Sequence, residues 1–205
     1  MARPRTFDAD AALDAALRVF WMRGYRGASL EELTNVSGGS RPSLYAAFDD
    51  KNGLFAAALH RYRERFDAEA LAVLESEADG RIAIERFLRL SARRFTDPDL
   101  PPGCPIAMQC AAMEPEPATD ADENAQSVAA ELDAALHAKL RARLARAKAD
   151  EQLPPGEPLG PLADYLHGVR HALSVAARLG RSERALRAMI DVAMRTWPDE
   201  RASVA

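Results

Sequence analysis

The stretch "SGGSRPSLYAAFDDKNGLF", Ser37 to Phe55, decides how this chain folds. Two adjacent glycines open it and an Asn-Gly pair nearly closes it. Such punctuation suits a loop, a phosphate cradle or a helical corner. Spacing excludes the cradle, because neither G-x-G-x-x-G nor G-x-x-x-x-G-K-[ST] is present and no buried strand precedes it. Ser40 can cap a helix beginning at Arg41-Pro42, where a proline is tolerated because its missing N–H would have no helical partner. Leu44, Ala47 and Phe48 are then expected to pack inward, with Arg41, Ser43 and Tyr45 outside or at the rim. Asn-Gly is ordinarily a turn signal, yet Asp50 can cap a further helix with Lys51 at its first position. Gly53 would cost that helix about 1 kcal/mol against alanine. A buried Leu54/Phe55/Ala58/Leu59 face outweighs this, so a helix is expected straight through the pair.

Upstream, Leu13, Ala16, Leu17 and Phe20 recur on one face of a helix that "RGYRG" ends. Ser29 precedes "LEELTNV" and can cap a short second helix, with Glu32 completing a capping box. Leu30, Leu33 and Val36 are its expected inner face. Three helices, the last two joined by a tight glycine turn, describe a helix-turn-helix. Its third helix can present an N-terminal face to a major groove. Arg41 has the fork geometry for base acceptors or phosphate. Ser40 and Ser43 can hydrogen-bond either, and Tyr45 and Lys51 are placed to fix the backbone. The same pattern also fits an ordinary helical corner that binds nothing.

Composition bounds the rest. Of 205 residues 48% are hydrophobic and 6% aromatic, with alanine filling the apolar positions, which favours an all-α fold. No run of eighteen apolar residues predicts a membrane span, and the amphipathic N-terminus does not read as a signal peptide, so a cytoplasmic protein is expected. The net charge of −4 is unevenly spread: residues 1–65 carry ten basic against eight acidic side chains, the remainder seventeen against twenty-three. A slightly basic head on an acidic body suits a small polyanion-binding module joined to a domain with another task.

Further helices are expected over 51 to about 75, 81–95, 124–148, 162–179 and 185–197. Proline-rich breaks at "TDPDLPPG", "EPEPATDADE" and "LPPGEPLGP" separate them, and a short apolar segment, "CPIAMQCAAM", lies between the first two breaks. Two cysteines, Cys104 and Cys110, are too few for a disulfide framework and are read as small apolar residues. His167 and His171 share a helical face that could hold a metal, but they are read as core or interface residues and no metal site is assigned. No nucleophile–base pair or carboxylate pair suggests an enzyme, and no cofactor is expected.

The first sixty residues resemble the tetracycline-repressor (TetR/AcrR) family of bacterial regulators. The resemblance rests on Gly38, Gly39, Ser40, Arg41, Pro42, Ser43, Leu44, Tyr45, Phe48 and Lys51, preceded by Gly24, Tyr25, Ser29, Leu30 and Leu33. Gly39 stands where the family usually has an aliphatic residue, and Ala47 where it often has His or Tyr. The resemblance implies DNA contacts from Ser29, Ser40, Arg41, Pro42, Ser43, Tyr45 and Lys51, with Arg3 and Arg5 as an N-terminal arm. It implies an N-terminal three-helix reader at 1–50, and a helical ligand-binding and dimerisation domain at 51–205 that starts with a long linking helix, about nine helices in all. It also implies a homodimer on palindromic double-stranded operator DNA, acting as a repressor released by a small-molecule effector. An activator, or a helical scaffold with weakened DNA binding, are the alternatives. The expected dimer face is Leu166, Val169, Leu173 and Ala177 with Leu186, Ile190 and Met194. Expected pocket residues are Phe87, Leu88, Ile106, Met108, Met113, Leu136 and Leu140.

Overall fold

The computed structural model describes residues 7–112 and 119–198, so Arg3, Arg5 and Met113 lie outside the described residues. The described chain is all-helical. Ten α-helices run in order: α1 (Ala9–Gly27), α2 (Leu30–Val36), α3 (Arg41–Phe48), α4 (Lys51–Tyr62), α5 (Ala68–Ser76), α6 (Gly80–Phe95), α7 (Pro105–Cys110), α8 (Asp120–Ala149), α9 (Leu159–Arg178) and α10 (Glu183–Ala193). A π-helical turn, Arg63–Asp67, joins α4 to α5, so the long helix expected from Lys51 is one rod with a bulge. Counted that way, the described residues hold nine rods. Backbone contacts divide the chain into two compact units, Met1–Arg65 with Pro105–Glu131, and Phe66–Cys104 with Leu132–Ala205.

In the first unit α1 lies against α4. Leu13, Ala16, Leu17 and Phe20 are buried, as their spacing requires. Aromatic edges fix the pair: Phe20 meets Phe55 at 5.0 Å, Trp21 meets Tyr62 at 4.8 Å and Tyr25 meets Phe55 at 5.2 Å between ring centroids. Each edge-to-face contact adds about 1 kcal/mol beyond the area buried. The helical path of α1 breaks at Gly24, whose φ of 70° is costly for any side chain. The break frees the Tyr25 N–H, which donates to Oε1 of buried Gln109 at 3.3 Å on α7.

In the second unit α6 packs against α5, α9 and α10 through Ile84, Phe87, Leu88, Ala92 and Phe95. Within this core Arg170 of α9 directs Nη2 to both carboxylate oxygens of Asp67, each at 2.9 Å, and its Nε to Ser91 Oγ at 3.3 Å. The guanidinium lies 5.1 Å from the Phe95 ring centre and 5.7 Å from that of Phe87. Nearer the surface, Asp133 of α8 accepts from His167 and His171 of α9. Burial opposes ionisation of the Asp133 carboxyl, but those two bonds hold its pKa well below the usual carboxylate range. Cys104 is buried and Cys110 half-buried, and neither is in a disulfide.

Two expectations about inward faces fail. Val36 is 45% exposed, beside Met22 and Val19 along an open groove between α1 and α2. Ala47 is exposed as well. In helices of seven and eight residues, Leu33 and Leu44 already fill the contact with α1 and α4, and the next apolar position turns outward.

Candidate nucleic-acid interface

Local capping sets the helix-turn-helix. Ser29 Oγ accepts from Glu32 N at 3.1 Å to start α2, and the Glu32 carboxylate pairs with Arg23 Nε at 2.8 Å. Ser37 closes α2 by bonding back to Leu33 O, and Gly38 turns the chain with φ of 64°. Ser40 caps α3, accepting from Ser43 N at 3.3 Å, while the two hydroxyls lie 2.9 Å apart. Such caps contribute roughly 1 kcal/mol each.

Gly39 answers a question the sequence leaves open. A Cβ there would stand 2.6 Å from the Phe7 ring. The ring occupies the space an aliphatic side chain would take, so the turn is sealed from the far side. Sequence reasoning missed Phe7 because nothing local links a residue ahead of α1 to a turn after α2.

At the solvent face of α3, Arg41 is exposed and its guanidinium stacks 5.2 Å over the Tyr45 ring, one turn along. Pro42 and Ser40 are exposed; Ser43 and Tyr45 are half-buried at the rim. The hydroxyls and guanidinium of this helix start therefore share one side, and Leu44 anchors the other at 3% exposure. Ser29 is exposed, with its lone pair engaged by the cap.

Lys51 sits differently. It begins α4 under the Asp50 cap, and its ammonium lies 4.3 Å over the Tyr25 ring. Partial burial lowers its pKa, and Arg26 adds to that, against the pull of Asp122. Asp122, in the first turn of α8, bonds Thr119 through hydroxyl and backbone N–H and pairs with Arg26 Nε at 3.1 Å. Those Thr119 bonds first, then Arg26 and Lys51, keep its carboxyl below the usual range. Gln109 and Asp122 thus brace the end of α1 behind the reader. Neither carried a sequence signal, since both lie far along the chain, Gln109 in what reads as a short apolar segment and Asp122 in a proline-rich break.

Residues 12–58 match the family model "Bacterial regulatory proteins, tetR family". The chain is 35% identical to the HTH-type transcriptional repressor ComR of Escherichia coli (strain K12) over 198 residues, 96% of this chain and 92% of that protein. The chain belongs to the tetR family of bacterial regulatory proteins. This tetR-family protein is also 35% identical over 107 residues to the HTH-type transcriptional repressor BdcR of Escherichia coli (strain K12), across 51% of this chain and 53% of that one. Among solved structures it resembles cysteine-substituted CifR, a TetR family transcriptional regulator complexed with 26-bp double-strand operator DNA. There the identity is 34%, the TM-score 0.88, and the match covers 96% of this chain and 100% of that one. The tetR-family protein is accordingly a DNA-binding transcriptional regulator and not an enzyme.

The remaining expected site residues of this regulator are placed less simply. Phe87, Leu88, Leu136 and Leu140 are core residues of the second unit, each at most 1% exposed, whereas Ile106 and Met108 belong to the first unit. The named dimer residues Leu166, Leu173, Ala177, Leu186, Ile190 and Met194 are buried inside the protomer, and Val169 is half-buried. That stripe holds α9 and α10 to α6, so it is not available to a second copy. The outward stripe is a different one: Tyr165, Gly168, Ala172, Val175 and Leu179 on α9, and Ala188, Met189 and Val192 on α10. No helix of the described residues is long and apolar enough to cross a membrane.

Proposed function

We propose that the chain is a homodimeric repressor. Its reader, residues 1–50, docks α3 in the major groove of a palindromic operator, and a small-molecule effector held by residues 51–205 releases it. The observation that carries the reading is the start of α3: exposed Arg41 braced on Tyr45 beside the Ser40 and Ser43 hydroxyls. The likeness to CifR, solved on operator DNA, supports the same docking. Ser29, Pro42 and Lys51 complete the proposed contact surface, with Arg3 and Arg5 as the arm. The Phe7 ring at Gly39 supports an intact reader over the alternative of a weakened one.

Arg41→Ala is expected to weaken operator binding about 10–100-fold, the loss of one good base-directed fork, and to relax sequence preference. Tyr45→Ala, which removes the brace, should show a smaller loss in the same direction. Gel-shift titration against the chain's own promoter region and random DNA, at two salt concentrations, measures both. Unchanged retention in Arg41→Ala would refute the docking.

The dimer reading is supported by the outward stripe. Residues 165, 168, 172, 175 and 179 alternate three and four apart, the seam spacing of paired helices, and Leu179 at 78% and Val192 at 58% leave large apolar side chains in water. Two such helices from each copy make an isologous four-helix contact, whose two-fold axis sets the readers roughly 35 Å apart, one groove repeat. Val175→Glu with Val192→Glu is expected to shift the mass seen by light scattering from dimer to monomer. A dimer that persists in the double variant would contradict this face. Effector release follows if a ligand favours a dimer arrangement in which the readers no longer match the groove repeat.

A further inference from the structure

Three of the chain's four histidines converge in the second unit, on two helices brought side by side. Asp133 and His137 lie one turn apart on α8, and His167 and His171 lie one turn apart on α9. An i, i+4 pair puts two side chains on one face, the spacing by which a helix chelates a metal ion. Here two such pairs meet. Asp133 Oδ1 is 2.8 Å from His171 Nε2 and 3.1 Å from His167 Nε2, and the ligand atoms of the three residues all lie within 4.8 Å of one another. The His167 and His171 rings are 4.4 Å apart, with His137 edge-on to His167 at 5.4 Å. His137 Nε2 is in turn 2.7 Å from Asp164 Oδ1.

We propose that Asp133, His167 and His171 bind a divalent first-row transition-metal ion, with His137 at the rim as the fourth ligand. Imidazole with one carboxylate suits Zn2+, Ni2+ or Cu2+, whereas Ca2+ and Mg2+ require oxygen-rich shells. Ligand atoms on a tetrahedron of 2.0–2.1 Å bonds stand about 3.4 Å apart, so an ion needs the present Asp133 contacts to open by only about half an ångström. The side chains of His167 and Asp133 are 13% and 17% exposed and that of His171 is 33%, which shields the site but leaves an entry path. Asp164, 71% exposed on α9, orients His137 in the way outer carboxylates commonly orient ligating imidazoles. A purely hydrogen-bonded Asp–His cluster is the competing reading, and it predicts no ion affinity beyond that of a surface histidine.

Calorimetric titration of chelator-stripped, full-length protein with ZnCl2 and NiCl2 tests the site. One ion per chain is expected, with a Kd on the order of micromolar or tighter for three protein ligands. His167→Ala and His171→Ala should each weaken binding at least 100-fold and His137→Ala about 10-fold, whereas His60→Ala, at the exposed histidine of α4, should change nothing. Co2+ supplies a second readout: a four-coordinate N/O site gives visible absorption, expected in the parent and lost in His171→Ala with helical circular dichroism unchanged. Absence of saturable binding would overturn the proposal, as would an equal loss in His60→Ala or a Co2+ spectrum indifferent to His171.

Discussion

Asp67→Ala is expected to cost about 3–5 kcal/mol of unfolding free energy, because it removes the carboxylate that takes two bonds from the buried Arg170 charge. Both residues are 2% exposed, so water cannot replace the two bonds that the guanidinium loses. The Ser91 hydroxyl, the Cys104 sulfur at 3.8 Å and two aromatic rings also face Arg170, and none of these is anionic. For a domain of this size, that loss lowers Tm on the order of 10 °C. Removing both charges, in Asp67→Ala with Arg170→Met, should restore much of the stability, since desolvation of the pair offsets most of its attraction. Urea unfolding of the parent, both single variants and the double, at one protein concentration, closes the cycle. A loss below 1 kcal/mol in Asp67→Ala would show that the pair is reached by solvent. The consequence reaches function through α9, because the helix that Asp67 anchors carries both His167 and His171 and the outward seam proposed for the dimer.

Gly53→Ala carries the second large effect, and here sequence and structure predict opposite signs. By helix propensity alone the change stabilises by about 1 kcal/mol. The structure puts the new Cβ 2.1 Å from the carbonyl oxygen of Phe48, a backbone atom with nowhere to go. That carbonyl is fixed by a γ-turn: Asp49 takes φ 65° and ψ −63°, and Asp50 N donates to Phe48 O at 2.8 Å. This turn is of the strained kind and holds α3 hard against the start of α4. Overpacking of this sort costs about 1–3 kcal/mol, a fall in Tm of several degrees. Operator affinity should fall with it, because the corner sets the angle of α3. A stabilised Gly53→Ala would mean that the corner opens without strain.

The two glycine pairs show how far the sequence could be read. Asn-Gly at 52–53 is helical, as capping by Asp50 implies, and the turn lies just upstream. The need for glycine there was invisible, since it comes from a carbonyl of the preceding helix rather than from backbone freedom. A tight glycine turn was legible at 38–39, but not that Gly38 takes the left-handed backbone and that Gly39 makes room for Phe7. Helices α9 and α10 were legible as elements, but the stripe expected to meet a second copy lies inside the protomer. An apolar stripe does not say whether it meets its own core or another copy, and α10 places Leu186 and Ile190 inward and Val192 outward.

By itself the sequence determined what is local: the caps at Ser29, Ser40 and Asp50, the proline start of α3, the apolar periods of α1 and α6, and the family to which they belong. Those depend on neighbours within one or two turns, where spacing dictates geometry. Only the tertiary structure decided what joins distant segments: the Arg170–Asp67 pair, the Gln109 and Asp122 braces, the Phe7 plug at Gly39 and the meeting of Asp133 with His167 and His171. Side chains a hundred residues apart carry no mutual signature in a single sequence, because burial, not spacing, is what brings them together.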